Sequence, residues 1–565
     1  MVLLDPRNLD RFYPDERSGE VMRKTVEFFE AKGKRRLKED DRERTWYADF
    51  LDFVKKEGVF ATILTPAGYG AADSRWDTWR ICEFAEILGF YGLHYWYTWQ
   101  VSVLGLGPIW MSDNEALKER TAKLLEDGGI FAFGLSERSH GADVYSTEMR
   151  LRGQSEGAWL AQGEKYYIGN GNKAALVSTF GKIDDSEEYV FFAVDSQHDR
   201  YECIRNVVNS QSYVSHFRLD DYPIEEADIL SRGRQAWDAA LNTVNIGKFN
   251  LGWASIGICT HALYEAFHHA AHRQLYGQAV TDFPHVKQLF SDAYTRLVAM
   301  KLVALRAADY MRSASAEDRR YLLYNPVVKM KVTTQGEEVI DHLWDVIAAK
   351  GFENESYFEM ASRDIRALPK LEGTVHVNIA LIVKFMPNFF FNPSEYPDVP
   401  RRDDAADDSF LFDQGSTRGL SQIRFHAYEP VFESWDLPNV RIFAEQTAAF
   451  RAMLADQPPG AGQANDIDFL MAVGEIFTGI VYAQLLLENA RIYAIDADLV
   501  EQIFDVLVRD FSHFALALHN KPSSTPAQMQ HCLRMLQKPH RDEERYQRVW
   551  EGHVLPQADR YVMNP

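Results

Sequence analysis

Hydrophobic residues recur at helical spacing along the first part of the chain. Apolar positions at i, i+3 and i+4 predict one helix over residues 46–60, ending near Gly58, and a second helix over 77–93. The Pro- and Gly-rich segment 65–73 lies between them and predicts a loop. The pattern therefore favours an N-terminal helical domain, residues 1–130.

The hydrophobic pattern changes after Ile130. Segments 167–183 and 189–195 are typical of strands, and short runs of Gly, Asn and Asp divide them. The acidic stretch 184–188 predicts the tip of a hairpin. These signals predict a β domain over residues 131–231.

Long amphipathic helices return after the β domain. Apolar faces run over 254–277 and 283–311, and such lengths favour a helical bundle with long shared seams. We expect the bundle at 232–386, a proline-rich acidic linker at 387–409 and a helical extension at 410–565. The predicted fold class is therefore mainly α with a central β domain (α+β).

The net charge of the chain limits the classes of molecule that it is expected to bind. The chain has 82 acidic and 61 basic residues, a formal net charge of −21, and no dense block of basic residues. A surplus of negative charge repels phosphate backbones and anionic lipid. We therefore expect neither nucleic acid nor a membrane surface as a partner.

Cysteine usage and the apolar stretches indicate the compartment. The four cysteines lie far apart, without the close spacing of a zinc site or a disulfide framework. The first 20 residues are too acidic for a transit peptide and lack a signal-peptide core. The most apolar long stretch, 470–487, contains Glu475 and Gln484, which favours a buried helix over a membrane span. We therefore expect a cytoplasmic protein.

Two segments in the β region carry candidate chemistry. The first, 131–147, contains Ser136-Glu137 and, after a short gap, Gly141-Ala142-Asp143. A small hydroxyl and a glycine allow backbone N–H groups to approach the polar edge of a ligand closely. Taken alone, this segment is equally compatible with an ordinary polar loop. The second segment, 163–183, contains Gly163, Lys165, Ile168 and Asn170, whose spacing is compared with a known family below.

Two later segments add charged motif residues. Segment 271–288 contains Arg273, Tyr276 and Gly277. A guanidinium suits a charge-assisted contact with a pyrophosphate. Segment 345–382 contains three further groups: Gly351-Phe352, Arg363-Asp364 and Glu372-Gly373-Thr374.

These four segments, in their order and spacing, resemble the signatures of the acyl-CoA dehydrogenase family over about residues 20–386. The resemblance implies an acyl-CoA dehydrogenase-like fold, in which an N-terminal helical domain, a β domain and a C-terminal helical bundle precede the extra helical region of larger members. It also implies FAD as the cofactor and an acyl-CoA or carrier-protein-bound acyl thioester as the substrate. The implied electron acceptor is an electron-transfer flavoprotein, or oxygen if the enzyme is an oxidase.

The resemblance assigns contacts with FAD residue by residue. They are Phe133, Leu135, Ser136, Gly141, Ala142, Tyr167, Gly169, Arg273, Tyr276, Ala349 and Thr374. In the family, the arginine here at position 273 and the loop here at 345–352 reach the FAD of a neighbouring subunit, which implies a homodimer or homotetramer.

The chain departs from the family pattern at several positions. Tyr167 replaces tryptophan, so a ring can still stack, whereas Gly169 replaces threonine, so a hydroxyl contact is lost. Ala348-Ala349 replace two glycines that receive the adenine end of FAD. The remaining departures are Arg138 for proline, Ala142 for serine, Pro284 for glutamine and Asp345 for glutamine.

Glu372 occupies the position of the family's catalytic base. A carboxylate that removes the α-proton of an acyl thioester needs dry surroundings that raise its pKa, and Leu371, Leu368 and Ile365 can supply them. The resemblance also implies that the Glu372 N–H stabilises the thioester oxyanion. The substrate contacts are Leu371, Gly373 and Lys248. The alternative interpretations are a surface glutamate before a Gly-Thr turn and a surface lysine at position 248.

Two further patterns are weaker. Gly169, Gly171 and Ala174 match a dinucleotide-binding pattern, but the sequence that follows is β-like rather than helical, so we interpret the match as accidental. His268 and His272 lie one helical turn apart. Because no third ligand is apparent in the sequence, a packed or solvated histidine pair is favoured and no metal is expected.

Three functions remain open at this point. The first is an FAD-dependent acyl thioester dehydrogenase. The second is a flavin-dependent oxidase or monooxygenase on the same fold, although Glu372 argues against the monooxygenase branch, whose members often lack that glutamate. The third is a non-catalytic helical scaffold that has lost its flavin, which the Ala142 and Ala348-Ala349 departures make conceivable.

Overall fold

The computed structural model describes residues 3–8, 13–155 and 157–565. Part of the predicted first domain, at residues 1–2 and 9–12, therefore lies outside the described residues. The chain folds into two compact units. The sheet unit consists of 10–250, 403–418 and 563–565, and the helical unit consists of 1–9, 251–402 and 419–562.

The sheet unit begins with helices. Its helices among the described residues are α1 (Glu16–Glu43), α2 (Ala48–Lys56), α3 (Val59–Leu64), α4 (Thr78–Tyr91), α5 (Leu93–Trp110), α6 (Glu115–Glu126) and α7 (Gly233–Gly247). Polar side chains cap the first turns of α1, α4 and α6. Asp77 accepts the backbone N–H groups of Trp79 and Arg80, which explains where α4 begins. Gly58 has a φ of 61° and separates α2 from α3. The helices predicted over 46–60 and 77–93 are confirmed, the first as two short helices.

A mixed sheet lies between α6 and α7 in the chain. Its strands are β1 (Phe131–Gly134), β2 (Arg150–Ser155), β3 (Ala158–Gly169), β4 (Leu176–Ile183), β5 (Tyr189–Val194), β6 (Tyr201–Asn206), β7 (Val214–Glu225) and β8 (Ile229–Arg232). The order across the sheet is β6-β7-β3-β2-β4-β5-β8, with β1 on β4. β4 pairs in parallel with β1 and β2 and antiparallel with β5. The predicted hairpin tip at 184–188 is confirmed, because it joins β4 to β5.

Besides residues 563–565, two stretches that follow the predicted β domain in sequence also belong to the sheet unit. One is α7, which the sequence placed at the start of the bundle. The other is 403–418, where the Asp408 N–H donates to the Trp76 carbonyl at 2.6 Å and the Phe412 ring lies 4.8 Å from the Trp76 ring. The compact units therefore differ from the predicted segments, because stretches that are distant in sequence pack together.

The helical unit contains most of the long helices of the chain. They are α8 (Asn250–Ala271), α9 (Pro284–Arg312), α10 (Tyr321–Val327), α11 (Thr333–Ile347), α12 (Tyr357–Asp364), α13 (Val375–Ile382), α14 (Met386–Phe391), α15 (Glu429–Glu433), α16 (Pro438–Asp456), α17 (Ile467–Ile492), α18 (Ala497–His519), α19 (Pro526–Met535) and α20 (Glu543–Val549). The helix predicted over 283–311 is confirmed by α9. The helix predicted over 254–277 is wrong at its end, because α8 stops at Ala271 and a hairpin follows.

That hairpin is made of β9 (Gln274–Leu275) and β10 (Gln278–Ala279). Its two turn residues, Tyr276 and Gly277, have φ values of 52° and 82°. Two successive left-handed residues form a tight hairpin turn and cannot continue a right-handed helix.

The helical extension packs into the same unit as the predicted bundle. Arg296 of α9 forms a two-pronged pair with Asp510 of α18 at 2.6 and 2.8 Å. Arg306 of α9 donates to Glu488 of α17 at 2.8 Å. Breaking one partner of a buried pair leaves an uncompensated charge, so these contacts tie α17 and α18 firmly to α9.

The predicted linker is helical at its start. α14 contains Phe389 and Phe390, which are buried, and the irregular stretch begins only at Asn392. Further along, α17 has the length and composition of a helix that could cross a membrane, but 78% of its most apolar window is buried within the protein.

Candidate active site

A buried ion pair holds the loop that follows β1. Glu137, only 7% exposed, accepts hydrogen bonds from Lys165 Nζ at 2.7 Å and from the Glu148 N–H at 2.8 Å. Lys165 has no exposed surface and also donates to the Leu135 carbonyl at 3.0 Å. The pair therefore fixes both ends of the loop 135–148 against β3.

The two charges of this pair shift each other's pKa. Burial alone raises the pKa of Glu137, but the charge and hydrogen bonds of Lys165 outweigh burial and hold that pKa below its usual range. Burial lowers the pKa of Lys165 to about 8, and the charge of Glu137 opposes this shift. Glu137 is therefore ionised at neutral pH and acts as an anchor for the loop.

The anchored loop presents backbone donors. The N–H groups of Ser136, Gly141 and Ala142 form no hydrogen bond with any residue that the structure describes. Gly141 and Ala142 are exposed, and Ser136 is half-buried. A Cβ built on Gly141 would meet no atom within 4 Å, so the space beside it is open. The loop therefore offers three unengaged N–H groups to a ligand.

The two apolar residues at the start of this segment differ in access. Phe133 is buried in β1, and its ring stacks on that of Phe191 at a centroid distance of 6.0 Å. Leu135 lies just beyond the strand and is half-buried. Of these two predicted cofactor contacts, only Leu135 has a side chain with access to the surface.

Tyr167 stands at a β-bulge. The pairing of β3 with β7 shifts register between Tyr166 and Ile168, and Tyr167 has a φ of 68°. A bulge turns a side chain out of the regular ladder, and the Tyr167 side chain is 52% exposed. An accessible aromatic ring at this position suits the predicted stacking on a flavin.

Gly169 is required by the close approach of α5. A Cβ at this position would lie 2.6 Å from Tyr97 Cε1 and 2.7 Å from Val101 Cγ1. A threonine cannot fit here unless α5 moves, which explains why the chain departs from the family pattern at this position. β3 ends at Gly169 and the next regular element is the strand β4, so the interpretation of the dinucleotide-binding pattern as accidental is confirmed.

Arg273 and Tyr276 lie on the exposed hairpin that ends α8. Tyr276 is 96% exposed, and Arg273 is exposed as well. No carboxylate in the described part of the chain forms an ion pair with the Arg273 guanidinium. The hairpin thus presents a cation and an aromatic ring to solvent.

Ala348 adopts a backbone conformation that favours glycine. Its φ is 54° and its ψ is −136°, directly after the end of α11. A Cβ in this region costs about 1–3 kcal/mol. Ala349, the predicted FAD contact, is exposed beside it. The chain therefore keeps a glycine-like turn at this position despite its two alanines.

Glu372 lies in a left-handed turn before α13. Glu372 and Gly373 have φ values of 50° and 86°, and Thr374 is the N-cap residue of α13. The Glu372 side chain is half-buried, and its Oε2 atom is shielded from solvent. A glutamate in this backbone region is strained, and strain of this kind concentrates at functional sites.

Lys329 holds the Glu372 turn from inside the bundle. Its Nζ donates to the Pro369 carbonyl at 2.8 Å and to the Gly373 carbonyl. Lys329 has no exposed surface and lies on a π-helical turn, Val328–Val332, between α10 and α11. π-Helical turns occur frequently at functional sites.

Three apolar residues precede Glu372 in the chain and differ in burial. Ile365 and Leu368 have no exposed surface, and Leu371 is half-buried. Thr374 is exposed, and its side chain makes no capping bond to α13.

Two other charged residues are accounted for by the structure. Lys248 is only 5% exposed at the end of α7, so the surface-lysine interpretation is wrong. Glu265 accepts the N–H of Phe358 at 2.7 Å at the start of α12, and it therefore has a structural role.

The predicted site residues fall into two groups. The loop 135–148, Tyr167, Gly169 and Lys248 lie in the sheet unit. Arg273, Tyr276, Ala349 and the turn 371–374 lie in the helical unit.

Three comparisons with known proteins agree. The family model for the acyl-CoA dehydrogenase C-terminal domain matches residues 235–386. The chain is 24% identical over 355 residues to the CarC subunit of the caffeyl-CoA reductase–Etf complex of Acetobacterium woodii, a match that covers 59% of this chain and 88% of that one. It is 21% identical over 351 residues to the short-chain specific acyl-CoA dehydrogenase of Megasphaera elsdenii, which covers 60% of this chain and 90% of that one. The crystal structure of an acyl-CoA dehydrogenase complexed with FAD from Bacillus anthracis has a TM-score of 0.75 at 17% identity and covers 98% of this chain and 97% of that one.

Residues 235–386 carry the C-terminal domain of the acyl-CoA dehydrogenase family, and the whole chain shares the fold of the Bacillus anthracis enzyme. With this domain and fold, the protein is a flavin oxidoreductase, and its cofactor is FAD. The likeness to the Bacillus anthracis structure spans nearly the whole chain, so the fold of the C-terminal extension is shared as well.

The residues of this protein fit FAD. The three unengaged N–H groups of the anchored loop suit the polar edge of the cofactor, and the exposed Tyr167 ring suits its flat face. Arg273, exposed and without a carboxylate partner among the described residues, suits a pyrophosphate.

The sequence analysis does not predict the structural roles of Glu137, Lys165 and Lys329. Glu137 and Lys165 belong to neighbouring motifs, and an acid and a base in such positions can form an ion pair that anchors a loop. For Lys329, the available signal is a lysine within the apolar segment VVKMKV, residues 327–332.

Proposed function

We propose that the protein catalyses the FAD-dependent α,β-dehydrogenation of an acyl thioester, with Glu372 as the base that removes the α-proton. One observation carries the proposal: Glu372 sits on a strained turn with its Oε2 atom shielded from solvent. A carboxylate shielded from water is the type of group that accepts a proton from carbon near neutral pH.

The reaction requires the loss of two hydrogens from adjacent carbons. The α C–H bond breaks and its proton moves to the Glu372 carboxylate, while the β C–H bond breaks with departure of a hydride. The electron pair left on the α-carbon forms the α,β double bond. Bound FAD supplies the acceptor for the hydride.

The residues beside Glu372 are proposed to hold the thioester. The Glu372 backbone N–H is the proposed donor to the thioester oxygen, which gains negative charge as the α-proton leaves. Leu371 and the Gly373 backbone are the proposed contacts of the acyl chain. Lys248, buried at the end of α7, is a proposed further substrate contact.

The proposed FAD contacts keep the positions predicted from the sequence, with one exception. Because the Phe133 side chain is buried in the sheet, it supports the loop rather than the cofactor. Arg273 and Ala349 are both exposed, which supports the proposal that they reach the FAD of a second copy. We therefore propose a homodimer or a dimer of dimers.

An electron-transfer flavoprotein is the proposed electron acceptor. The Acetobacterium woodii relative is a subunit of a reductase–Etf complex, which supports this choice. An oxidase remains the second candidate function, because the prolyl acyl carrier protein oxidase AnaB is a structural neighbour with a TM-score of 0.56.

A reducing compartment, the cytoplasm, is the proposed location. All four cysteines are free. Burial raises the pKa of the Cys532 thiol to about 11, so that thiol stays protonated and unreactive.

The test is anaerobic bleaching of the purified yellow protein by a panel of acyl thioesters, on CoA and on carrier protein. Rapid bleaching by one class of thioester, followed by re-oxidation with an electron-transfer flavoprotein and not with oxygen, is the expected result. Fast re-oxidation by oxygen would select the oxidase. A protein that binds FAD but is bleached by none of the thioesters would overturn the proposal.

A further inference from the structure

Three metal-ligating side chains meet where α8 ends. His268 lies on the last turn of α8, His272 directly follows that helix, and Asp559 follows α20 near the C-terminus. His268 Nδ1 is 3.6 Å and His272 Nε2 is 3.7 Å from the same oxygen, Asp559 Oδ1. We propose that these three residues form a binding site for a divalent transition-metal ion such as Zn²⁺.

The distances suit ligands of a common ion. Both N···O separations are too long for a hydrogen bond, so the three groups are not arranged to bond one another. Ligand atoms about 2.1 Å from a tetrahedral ion lie about 3.4 Å apart. The three ligand atoms all lie within 4.8 Å of one another, so small side-chain rotations bring them to bonding positions.

The proton positions on the imidazoles also suit a metal. His272 Nδ1 lies 2.9 Å from the His268 carbonyl oxygen. A carbonyl only accepts, so Nδ1 carries the proton and Nε2 faces Asp559 with its lone pair. Histidines that bind metals characteristically donate their other N–H to a carbonyl in this way.

His268 lacks a competing partner. Its Nδ1 atom is buried, and no described residue donates to it or accepts from it. This is the same atom that lies closest to Asp559. A buried ring nitrogen that is turned to a carboxylate beyond hydrogen-bond distance is accounted for by an ion between them.

Asp559 supplies a negative charge that no lysine or arginine in the described part of the chain neutralises. Its carboxylate is exposed, and among the described residues its ion-pair partners are the two histidines. The adjacent Arg560 pairs instead with Asp5 at 2.9 Å.

A second cluster of potential ligands shows what excludes a cation. Glu137, His140 and Glu148 are also close enough together to share an ion. In that cluster, however, Lys165 Nζ donates a hydrogen bond to Glu137 Oε1 at 2.7 Å. The positive charge of this ammonium group repels a cation. No such ammonium lies at the His268 site among the described residues.

An ion at this site ties the C-terminal segment to the end of α8. The two histidines and Asp559 are separated by most of the helical unit in sequence, so one ion closes a long loop. With three protein ligands, the remaining positions of the ion are left for water. The inference is independent of the proposed dehydrogenase activity.

The first experiment measures zinc uptake by the FAD-loaded protein in equilibrium dialysis at buffered submicromolar free Zn²⁺. Wild-type protein is expected to bind about one equivalent more than either H272A or D559N, with an affinity about tenfold or more above theirs. H553A is the matched control, because His553 pairs with Asp496 at 3.0 Å but belongs to no three-ligand group among the described residues. Equal uptake by wild type, H272A and D559N would overturn the proposal, as would an equal loss in H553A.

The second experiment tests the tie to the C-terminal segment. Zn²⁺ is expected to slow hydrogen exchange at 555–562 in wild type and in H553A, but not in H272A or D559N. Because all the substituted side chains are at least partly exposed, the variants should keep their FAD and their folded spectrum. Unchanged exchange at 555–562 in zinc-loaded wild type would overturn the proposal that the ion joins these segments.

Discussion

Lys329 Nζ lies 2.8 Å from the carbonyl oxygen of Pro369 and spans the turn that carries Glu372 by bonding the Gly373 carbonyl as well. The lysine comes from a π-helical turn, Val328–Val332, that interrupts an otherwise regular helix. Its ammonium therefore holds both sides of the proposed catalytic turn from the protein interior.

Lys329→Met should slow flavin reduction by a thioester substrate by about 10–100-fold. Methionine keeps most of the buried stem but removes the donor to both carbonyls, so Glu372 loses its fixed position. Rapid mixing under anaerobic conditions measures the rate, and the absorbance of bound FAD checks that the cofactor is kept.

Lys331→Met is the matched control. Lys331 lies on the same π-helical turn and is also buried, but its Nζ faces Glu475 at 3.7 Å. This variant should lose stability and keep most of its reduction rate. Equal rate losses in the two variants would mean that Lys329 acts only through general stability.

Glu372→Gln should lower the rate of flavin reduction by about 10²–10⁴-fold while the protein keeps its fold and its FAD. Glutamine has the same shape but cannot accept the α-proton. Stopped-flow bleaching measures the rate, and titration with a thioester checks that substrate still binds. Glu265→Gln should keep the rate, because Glu265 caps α12. A Glu372→Gln enzyme within a few-fold of the parent would place the base elsewhere.

Ala348→Gly should stabilise the protein by about 1 kcal/mol. Glycine removes the strain of a Cβ at a φ of 54°, and this gain exceeds the entropy that glycine adds to the unfolded chain. Thermal unfolding followed by FAD release measures the change. Ala349→Gly is the control, because Ala349 does not have a positive φ, and it should be neutral or destabilising. A loss of stability in Ala348→Gly would contradict the prediction.

Asp15→Asn should destabilise the protein at neutral pH by about 1–3 kcal/mol. Burial raises the pKa of Asp15, whereas hydrogen bonds from Arg75 and from the Ser18 N–H lower it. The hydrogen bonds have the larger effect, so the pKa of Asp15 lies well below its ordinary value. A carboxyl with a depressed pKa stabilises the folded state above its unfolded pKa, near 3.8, and this stability is lost as the pH falls further.

The difference in unfolding temperature between Asp15→Asn and the parent should therefore be largest above pH about 5 and shrink below pH about 4. Glu16→Gln is the control, since Glu16 is exposed in the same first turn of α1. A difference that stays constant from neutral to acidic pH would show that the cap acts without its charge.

Local elements were predictable because their causes are local. The apolar spacing over 77–93 and 283–311 specifies helices wherever they pack, and a capping Asp77 marks the start of one of them. The predicted tip at 184–188 needs only two strands and a polar turn. The end of α8 was missed because Tyr276 gives no sign in sequence that it takes a left-handed φ.

By itself, the sequence determined the fold class, the family signatures and Glu372 as the candidate base, because each of these rests on residue types at short and regular spacing. Only the tertiary structure decided which distant side chains meet. It placed Lys329 under the Glu372 turn, α5 against Gly169, and Asp559 beside His268. These contacts depend on how whole helices pack against one another, and the local hydrophobic pattern of the chain does not predict that packing.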